Sequence, residues 1–314
     1  MSEDQDRFTA ETARFRRELL AYCYRMVGSP SDAEDLVQET LLRAWRGYAG
    51  FERRASIRSW LYRIATNVCL TALESRPRRV LPSGLRPACD ADRPPTERVD
   101  DVAWVEPLPD AWIAEDPIST LIARESLRLA LIASLQLFPA RQRAIFILRE
   151  IAAFSADETA ELLDSTVAAV KSGLQRARAQ LDDNGQLRDE LLEPSDPRAQ
   201  QLIAGYIAAF ERSDADLLVE VLRADATLEA TPFRDWQSGR AGCIHMLATY
   251  VLGAPGDWKM IATRANGQPA ATIYRRDDDG TMRPNGVVVL AATATGAAHV
   301  VAFHHDPALV ALFR

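Results

Sequence analysis

The spacing of apolar residues changes along this chain, and the change limits the folds that the chain can adopt. Up to Leu222, most apolar residues outside a Pro-rich stretch recur at helical spacing. After Trp258 the apolar period becomes two, in the segments WKMIATRA, AATIYRR, GVVVLAATA and HVVAFHH, which predicts strands separated by turns. The sequence therefore predicts a multidomain protein in which all-α helical domains precede an α+β domain with a curved antiparallel sheet.

The distribution of proline and charge predicts where these domains divide. Residues 77–117 contain eight of the 17 prolines. Between residues 80 and 117, nine acidic residues outnumber three arginines, which is typical of a linker rather than of a packed element. The sequence EPSDP at 193–197 indicates a second boundary. The predicted parts are a helical domain at 8–76, a linker at 77–117, a second helical domain at 118–183 and the α+β domain at 197–314.

The segment FSADETAELLDSTVAAVKSGLQRARAQL, at 154–181, predicts two helices joined by a tight turn. Ser155 and Glu158 form a capping-box pattern that begins the first helix. Asp164 tolerates the left-handed conformation that such turns use, and Thr166 can cap the second helix. This is the pattern of a helix–turn–helix, whose second helix enters the major groove of DNA.

The second of these helices is basic, although the chain as a whole has a formal net charge of −7. After Asp164 the helix contains no acid, so its outward face would not repel phosphates. Arg, Lys, Gln and Ser are also the side chains that bond phosphates and base edges. The alternative is an ordinary solvated helix face. The predicted DNA-contacting residues of this helix are Thr166, Lys171, Ser172, Gln175, Arg176 and Arg178.

Cysteine usage and hydropathy exclude several classes of protein. The four cysteines (Cys23, Cys69, Cys89 and Cys243) contain no CxxC pair, so neither a zinc nor a redox motif is predicted. No apolar run approaches the roughly 20 residues that span a bilayer. The N-terminal sequence MSEDQDRFTAETARF is too polar for a secretion signal. We expect a cytoplasmic protein with no membrane contact, no metal and no cofactor.

Two further motifs precede the helix–turn–helix, and the three motifs together indicate more than any one of them alone. They are DAEDLVQETLLRAW at 32–45 and IRSWLYRIATNVCL at 57–70. In this order and spacing, the three motifs resemble those of bacterial RNA polymerase sigma factors of the extracytoplasmic-function (ECF) group. The first two are similar to sigma region 2, and the helix–turn–helix is similar to sigma region 4. The resemblance covers about 8–182 and implies promoter-specific transcription initiation, with core RNA polymerase and promoter DNA as partners.

The resemblance implies a role for each motif. The helix at 32–45 would dock on the coiled coil of the polymerase clamp through Asp32, Asp35, Gln38, Glu39 and Arg43. The stretch at 51–67 would melt and read the −10 promoter element through Arg53, Arg54, Arg58, Trp60, Arg63 and Asn67. Region 4 would read the −35 element and contact the polymerase flap. The acidic linker would thread through polymerase, and Gly173 stands where the group often has an Arg, which suggests one DNA contact fewer.

The α+β part resembles the SnoaL-like branch of the NTF2-like fold, most clearly over 198–240. That resemblance implies a cone with a pocket, whose candidate residues are Phe233, Trp236, His245 and Trp258. A catalytic set is not predicted, and Asp235, His245, His299 and His304 are the groups that an enzyme would use. We expect the domain to contact the sigma domains and to regulate them in cis. The alternatives are a DNA-binding module fused to a SnoaL-like cyclase or isomerase, and a ligand-responsive repressor.

Overall fold

The computed structural model describes residues 3–51, 56–89, 98–113, 125–182 and 190–313. These residues form two compact units. One unit is drawn from residues 1–79 and 112–187, and the other from residues 80–111 and 188–314. The first unit therefore contains both predicted helical domains, and the second contains the α+β domain together with most of the predicted linker.

The first half of the helical unit consists of helices packed around an apolar core. Its elements are α1 (Glu3–Thr12), α2 (Arg16–Val27), α3 (Pro30–Gly47) and α4 (Ile57–Ser75). The α2 helix ends at Gly28, whose φ of 73° is left-handed. Ser29 caps α3 by accepting from the Asp32 backbone N–H at 3.3 Å, with Pro30 in the first turn.

The second half of the helical unit contains shorter helices. They are α5 (Leu129–Gln136), α6 (Ala140–Phe146), α7 (Ala156–Leu162) and α8 (Val167–Asp182). A π-helical turn, Ile147–Ile151, continues α6. Ala153 follows it with a left-handed φ of 58°, which reverses the chain before α7. No helix among the described residues is long and apolar enough to cross a membrane.

The two halves of the helical unit meet through buried polar groups. Arg143 is 3% exposed and donates to the carbonyl oxygens of Met26 and Gln136. Gln136 Nε2 donates to Arg25 O at 3.1 Å, and Arg25 donates to Ser126 Oγ at 2.8 Å. Burial lowers the pKa of both arginines to about 10, so both remain charged at neutral pH. Water can satisfy such groups if the halves separate, so this interface is less costly to open than an apolar one.

The second unit is an α+β domain around one six-stranded sheet. Its helices are α9 (Pro197–Arg212), α10 (Leu217–Val221), α11 (Arg240–Tyr250) and α12 (Pro307–Ala311). Its strands are β1 (Leu222–Thr231), β2 (Trp236–Ser238), β3 (Trp258–Ala265), β4 (Gln268–Arg276), β5 (Met282–Thr293) and β6 (Gly296–His304). The strand order is β2-β1-β6-β5-β4-β3. The pairing of β1 with β6 is parallel, which the predicted antiparallel sheet did not include.

The two faces of this sheet are buried differently. One face packs against the helices through a cluster that includes Tyr206, Phe210, Leu228 and Val300. Neighbouring strand residues point to opposite faces, so Glu229 lies on the face away from that cluster. Glu229 pairs with Val301, and Val301 pairs with Val289. All three are at most 2% exposed, so the second face is covered as well.

Residues 80–89 and 98–111, called here the docked segment, are part of this second unit. The segment was expected to be an unpacked linker, and the structure differs. Val80, Leu81, Val105 and Leu108 are each at most 6% exposed. The apolar positions are few and irregularly spaced, so no periodicity indicated that they would pack.

Candidate nucleic-acid interface and the site of the docked segment

The helix–turn–helix forms through the local signals that its sequence contains. Ser155 Oγ accepts from the Glu158 backbone N–H at 3.1 Å, and Glu158 accepts from the Ser155 backbone N–H at 2.7 Å. The pKa of Glu158 is lowered by this hydrogen bond to the Ser155 backbone. Asp164 has a φ of 46°, and Thr166 Oγ1 accepts from Ala169 N at 3.1 Å. The predicted capping box, left-handed turn and second cap are confirmed.

The outward face of α8 carries the predicted DNA-contacting side chains. Val170, Leu174 and Ala177 are buried on the inward face. Arg178 Nη2 lies 2.9 and 3.0 Å from the two carboxylate oxygens of Glu150, in the π-helical turn. The exposed residues on the outward side are Thr166, Lys171, Ser172, Gln175, Arg176 and Arg178. The structure thus exposes this whole predicted set on one helix, as groove recognition requires.

Gly173 lies on the opposite side of this helix from the predicted DNA-contacting set. A Cβ built at this position would meet Ile145 Cδ1 of α6 at 2.7 Å. The suggestion that Gly173 marks a missing DNA contact was therefore wrong, because the residue is buried between two helices. The absence of a side chain allows α6 and α8 to approach, which compensates for the low helix propensity of Gly.

We expect Gly173→Arg to destabilise the helical unit by about 1–3 kcal/mol, because an overpacked interface between α6 and α8 must shift. It should not strengthen DNA binding. Ala168→Arg is the matched control, since Ala168 is exposed on α8 and the added charge can reach phosphates. Thermal unfolding and duplex DNA binding of both variants would be measured. Tighter DNA binding by the Gly173 variant at unchanged stability would contradict this assignment.

The predicted −10 residues differ in their exposure and in their contacts. Arg53 and Arg54 lie outside the described residues. Arg63 and Asn67 are exposed on α4, and Arg63 Nη2 lies 2.7 Å from Asp164 Oδ1 in the helix–turn–helix turn. Trp60 stacks on Phe51, with ring centroids 4.6 Å apart, so it packs within the protein.

Arg58 is the most constrained of this set. Its guanidinium donates to Glu18 Oε1 at 2.7 and 2.5 Å and to Ala152 O at 2.9 Å. It also lies over the rings of Tyr62 and Phe154, 5.0 and 4.5 Å from their centroids. In this structure Arg58 therefore joins the two halves of the helical unit.

The outward face of α3 carries the predicted polymerase contacts. Asp32 is paired with Arg76 and Arg79, each at 2.9 Å, so its charge is neutralised within the protein. Asp35, Gln38 and Arg43 are exposed, whereas Glu39 is half-buried and lies 2.6 Å from Arg43. Leu42, which was not predicted, is 43% exposed on the same face. The face is thus mixed in charge and contains one exposed apolar side chain.

The predicted pocket residues of the α+β domain lie in different surroundings. Trp258 is buried, packs on Phe210 and donates to the carbonyl oxygens of Val251 and Leu252. His245 is exposed on α11. The ring of Phe233 lies 6.3 Å from that of His305. Trp236 donates to Arg86 O of the docked segment.

A buried polar cluster that the sequence did not indicate lies on the second face of the sheet. Glu229 Oε1 is 2.7 Å from His299 Nε2, and Glu229 accepts from the Ser83 backbone N–H at 2.7 Å and from Ser83 Oγ at 3.0 Å. Burial by itself would raise the pKa of Glu229. The contacts with His299 and Ser83 outweigh burial and hold the pKa below its usual value. In a strand whose side chains alternate between core and solvent, an acidic residue normally faces solvent. No local sequence pattern therefore indicated that Glu229 is buried.

A second carboxylate holds the same part of the docked segment. Asp235 Oδ1 accepts from Arg86 Nη1 at 2.8 Å and from the Cys89 thiol at 2.9 Å. The Cys89 backbone N–H donates to Trp236 O at 2.9 Å. Desolvation, followed by the contact with Asp235, raises the pKa of the Cys89 thiol. Asp235, an acid–base candidate in the sequence, is thus occupied by the docked segment.

The later part of the docked segment is held at the turn between β3 and β4, at the opposite edge of the sheet from β2. Leu108 N donates to Asn266 Oδ1 at 2.9 Å, and Asn266 N donates to Leu108 O at 3.0 Å. Gly267 N donates to Asp110 Oδ1 at 2.8 Å. Within the described ranges, no group of three His, Cys, Asp or Glu side chains could hold a metal ion.

Comparison with known protein families identifies two parts of the helical unit. Residues 12–79 match the family Sigma-70 region 2, and residues 128–181 match the family Sigma-70, region 4. The ECF RNA polymerase sigma factor SigG of Mycobacterium tuberculosis is 48% identical over 302 residues, which cover 94% of this chain and 80% of that protein. SigJ of the same organism is 28% identical over 218 residues, covering 69% of this chain and 63% of SigJ.

One solved structure is similar over nearly the whole chain. The crystal structure of the Mycobacterium tuberculosis extracytoplasmic function sigma factor SigJ matches with a TM-score of 0.62 at 20% identity, covering 97% of this chain and 99% of that one. At this identity the likeness concerns the fold. The predicted architecture, helical sigma-type domains followed by an α+β domain of the NTF2-like fold, is confirmed.

Proposed function

The chain belongs to the ECF family of RNA polymerase sigma factors, and from this we propose that its α+β domain regulates transcription in cis by holding the docked segment. As a member of this family, it binds core RNA polymerase and directs initiation at specific promoters. Such a factor acts by binding and not by chemical turnover. We place it in the cytoplasm, where polymerase and promoter DNA are found.

The proposed roles of the helical surfaces follow the sequence motifs. The outward face of α3 binds the clamp coiled coil through Asp35, Gln38, Glu39 and Arg43, with Asp32 orienting Arg76 and Arg79. Region 4 reads the −35 element with the outward face of α8 and contacts the flap. Arg63 and Asn67 of α4 face the −10 element, together with Arg53, Arg54 and Arg58.

The observation that carries the regulatory proposal is the hydrogen bonding of the docked segment to the sheet. The segment connects regions 2 and 4 in sequence, and we propose that in the polymerase complex it follows the path toward the RNA exit. The backbone N–H groups of Ser83, Cys89 and Leu108 donate to the α+β domain. The segment must break these hydrogen bonds before it can enter polymerase, so docking and polymerase entry compete.

The test is in vitro transcription with the full chain and with a chain truncated after Asp196. Removal of the α+β domain should raise promoter-specific output at limiting core polymerase, because the segment is released. Output unchanged at every promoter tested would refute regulation in cis.

Two point variants give the same test without truncation. Arg86→Ala combined with Asp110→Ala removes the side-chain contacts with Asp235 and Gly267 and should also raise output. Arg98→Ala combined with Asp100→Ala is the matched control, since it also removes one cation and one anion, and these two side chains pair with each other within the segment at 2.6 Å. An equal effect of the control would show that charge, and not docking, is responsible.

A further inference from the structure

Phe154 inserts from one half of the helical unit into the other. The π-helical turn Ile147–Ile151 and the left-handed φ of Ala153 turn the chain so that the ring points toward α2 and α4. Phe154 is 2% exposed. Its backbone is fixed by a hydrogen bond from Phe154 N to Leu148 O at 2.9 Å and by a contact from Arg149 to its carbonyl. Phe154 is therefore held rigidly in place.

The region 2 surface that Phe154 covers has a distinctive chemistry. The Arg58 guanidinium lies over the Phe154 ring at 4.5 Å, and the Tyr62 ring meets it edge-on with centroids 4.9 Å apart. Glu18 accepts from both Arg58 and Tyr62, the latter at 3.0 Å. Tyr62 also contacts the ring of Tyr22 at 5.0 Å, which supports it from behind. A fixed cation and a fixed aromatic ring thus flank one flat occupant.

An arginine over the face of a planar ring, with an aromatic side chain beside it, is a combination that proteins use to hold unpaired bases. Arg58 and Tyr62 are also on α4, the helix that carries Arg63 and Asn67. When regions 2 and 4 separate to reach two promoter elements, Phe154 leaves and this surface opens. Its aromatic and cationic faces would then be adjacent to the strand that region 2 holds.

We propose that Glu18, Arg58 and Tyr62 form a binding site for one unpaired base of the melted promoter strand, and that Phe154 fills this site in the free protein. The proposal rests on the proposed −10 role of α4. The ring of Phe154 takes the place of the base, so closure of region 4 on region 2 and capture of single-stranded DNA exclude each other. The pairing of Arg63 with Asp164, at 2.7 Å, masks a second cation in the same closed state.

The test uses the full chain and a random-sequence single-stranded DNA pool, with the same pool annealed to duplex for comparison. Phe154→Ala removes the occupant and should tighten single-strand binding by at least about fivefold, the lower end of what base stacking on an aromatic side chain is worth. Binding to duplex should change less. Adding Tyr62→Leu to this variant should cancel the gain, because the aromatic ring that contacts the edge of the occupant is gone.

The matched control is Phe138→Ala. Phe138 is 3% exposed and packs on Phe146 within region 4, so this change removes a buried ring without opening the Arg58 site. If Phe154→Ala does not fold, Phe154→Leu keeps the apolar bulk but loses the contacts of the ring with Arg58 and Tyr62, and a smaller gain in the same direction is expected. Unchanged single-strand affinity in the folded variant, or a gain that survives Tyr62→Leu, would overturn the proposal.

A separate variant distinguishes failure of this proposal from failure of the −10 assignment. Arg63→Glu with Asn67→Ala should weaken single-strand binding whether or not Phe154 occupies a base-binding site. If these two changes weaken binding and Phe154→Ala has no effect, only the Phe154 proposal falls. If neither has an effect, the assignment of α4 to the −10 element falls with it.

Discussion

Replacing Lys171, Arg176 and Arg178 together with Glu should abolish promoter-specific transcription while leaving the protein folded. Each interaction of an Arg or Lys with DNA is worth about 1–3 kcal/mol, so the affinity of region 4 for its DNA should fall by at least about a hundredfold. All three side chains are exposed. Arg178 pairs with Glu150 with 59% of its own side chain exposed, and a pair at such a surface contributes little to stability.

The measurement is run-off transcription together with the salt dependence of duplex binding. The slope of log affinity against log salt should decrease by up to about three, one for each phosphate that the variant no longer binds. The matched control reverses the exposed Arg212, Lys259 and Arg264 of the α+β domain and changes the net charge equally. Transcript levels that stay constant in the α8 variant, or fall equally in the control, would mean that α8 does not read the promoter.

Replacing Glu229 with Ala should release the docked segment and destabilise the second unit by about 3 kcal/mol or more. The carboxylate is fully buried and satisfies the Ser83 N–H, the Ser83 hydroxyl and His299. Removing one member of a buried polar cluster leaves the others without partners, and this costs more than the contacts were worth. Glu220→Ala is the control, since Glu220 is exposed on α10 and its removal should have almost no effect.

Denaturant unfolding followed by tryptophan fluorescence, and protease cleavage between residues 80 and 111, would measure this effect. The pKa of Glu229 is lowered in the folded state, so its contribution is present above the ordinary carboxylate pKa. That contribution is lost as the pH falls through the lowered value. The difference between the natural protein and the variant should therefore shrink on acidification. Equal unfolding midpoints for Glu229→Ala and Glu220→Ala at neutral pH would contradict this account.

The helix–turn–helix could be predicted in detail because its signals are local. The Ser155–Glu158 box and the Thr166 cap involve residues three positions apart, and the exposed face of α8 follows from helical spacing. The left-handed turn at Asp164 is a property of one residue. Strands β3 to β6 of the α+β domain were predictable for the same reason, since their period of two is visible in the sequence.

Several features of the site could not be predicted, because they join residues far apart in the chain. Arg58 was predicted as a DNA contact from its charge and its place in the region 2 motif, and neither indicated its contact with Ala152, which is 94 positions away. Gly173 gave a misleading signal, since its meaning depends on the approach of Ile145. Proline and acidic residues predicted an irregular linker, and among the described residues of 77–113 the regular elements are short 3₁₀ turns and isolated bridges, but they did not predict its docking.

The sequence by itself determined the sigma-type helical regions, the basic face of α8 and the α+β class of the C-terminal domain. These depend on caps, charge and periodicity, each of which acts within a few residues. Only the tertiary structure decided that Ser83 lies on Glu229, 146 positions away, and that Phe154 lies on Arg58. Such contacts depend on which buried polar and aromatic groups find partners once the whole core is packed, and no short stretch of sequence contains that information.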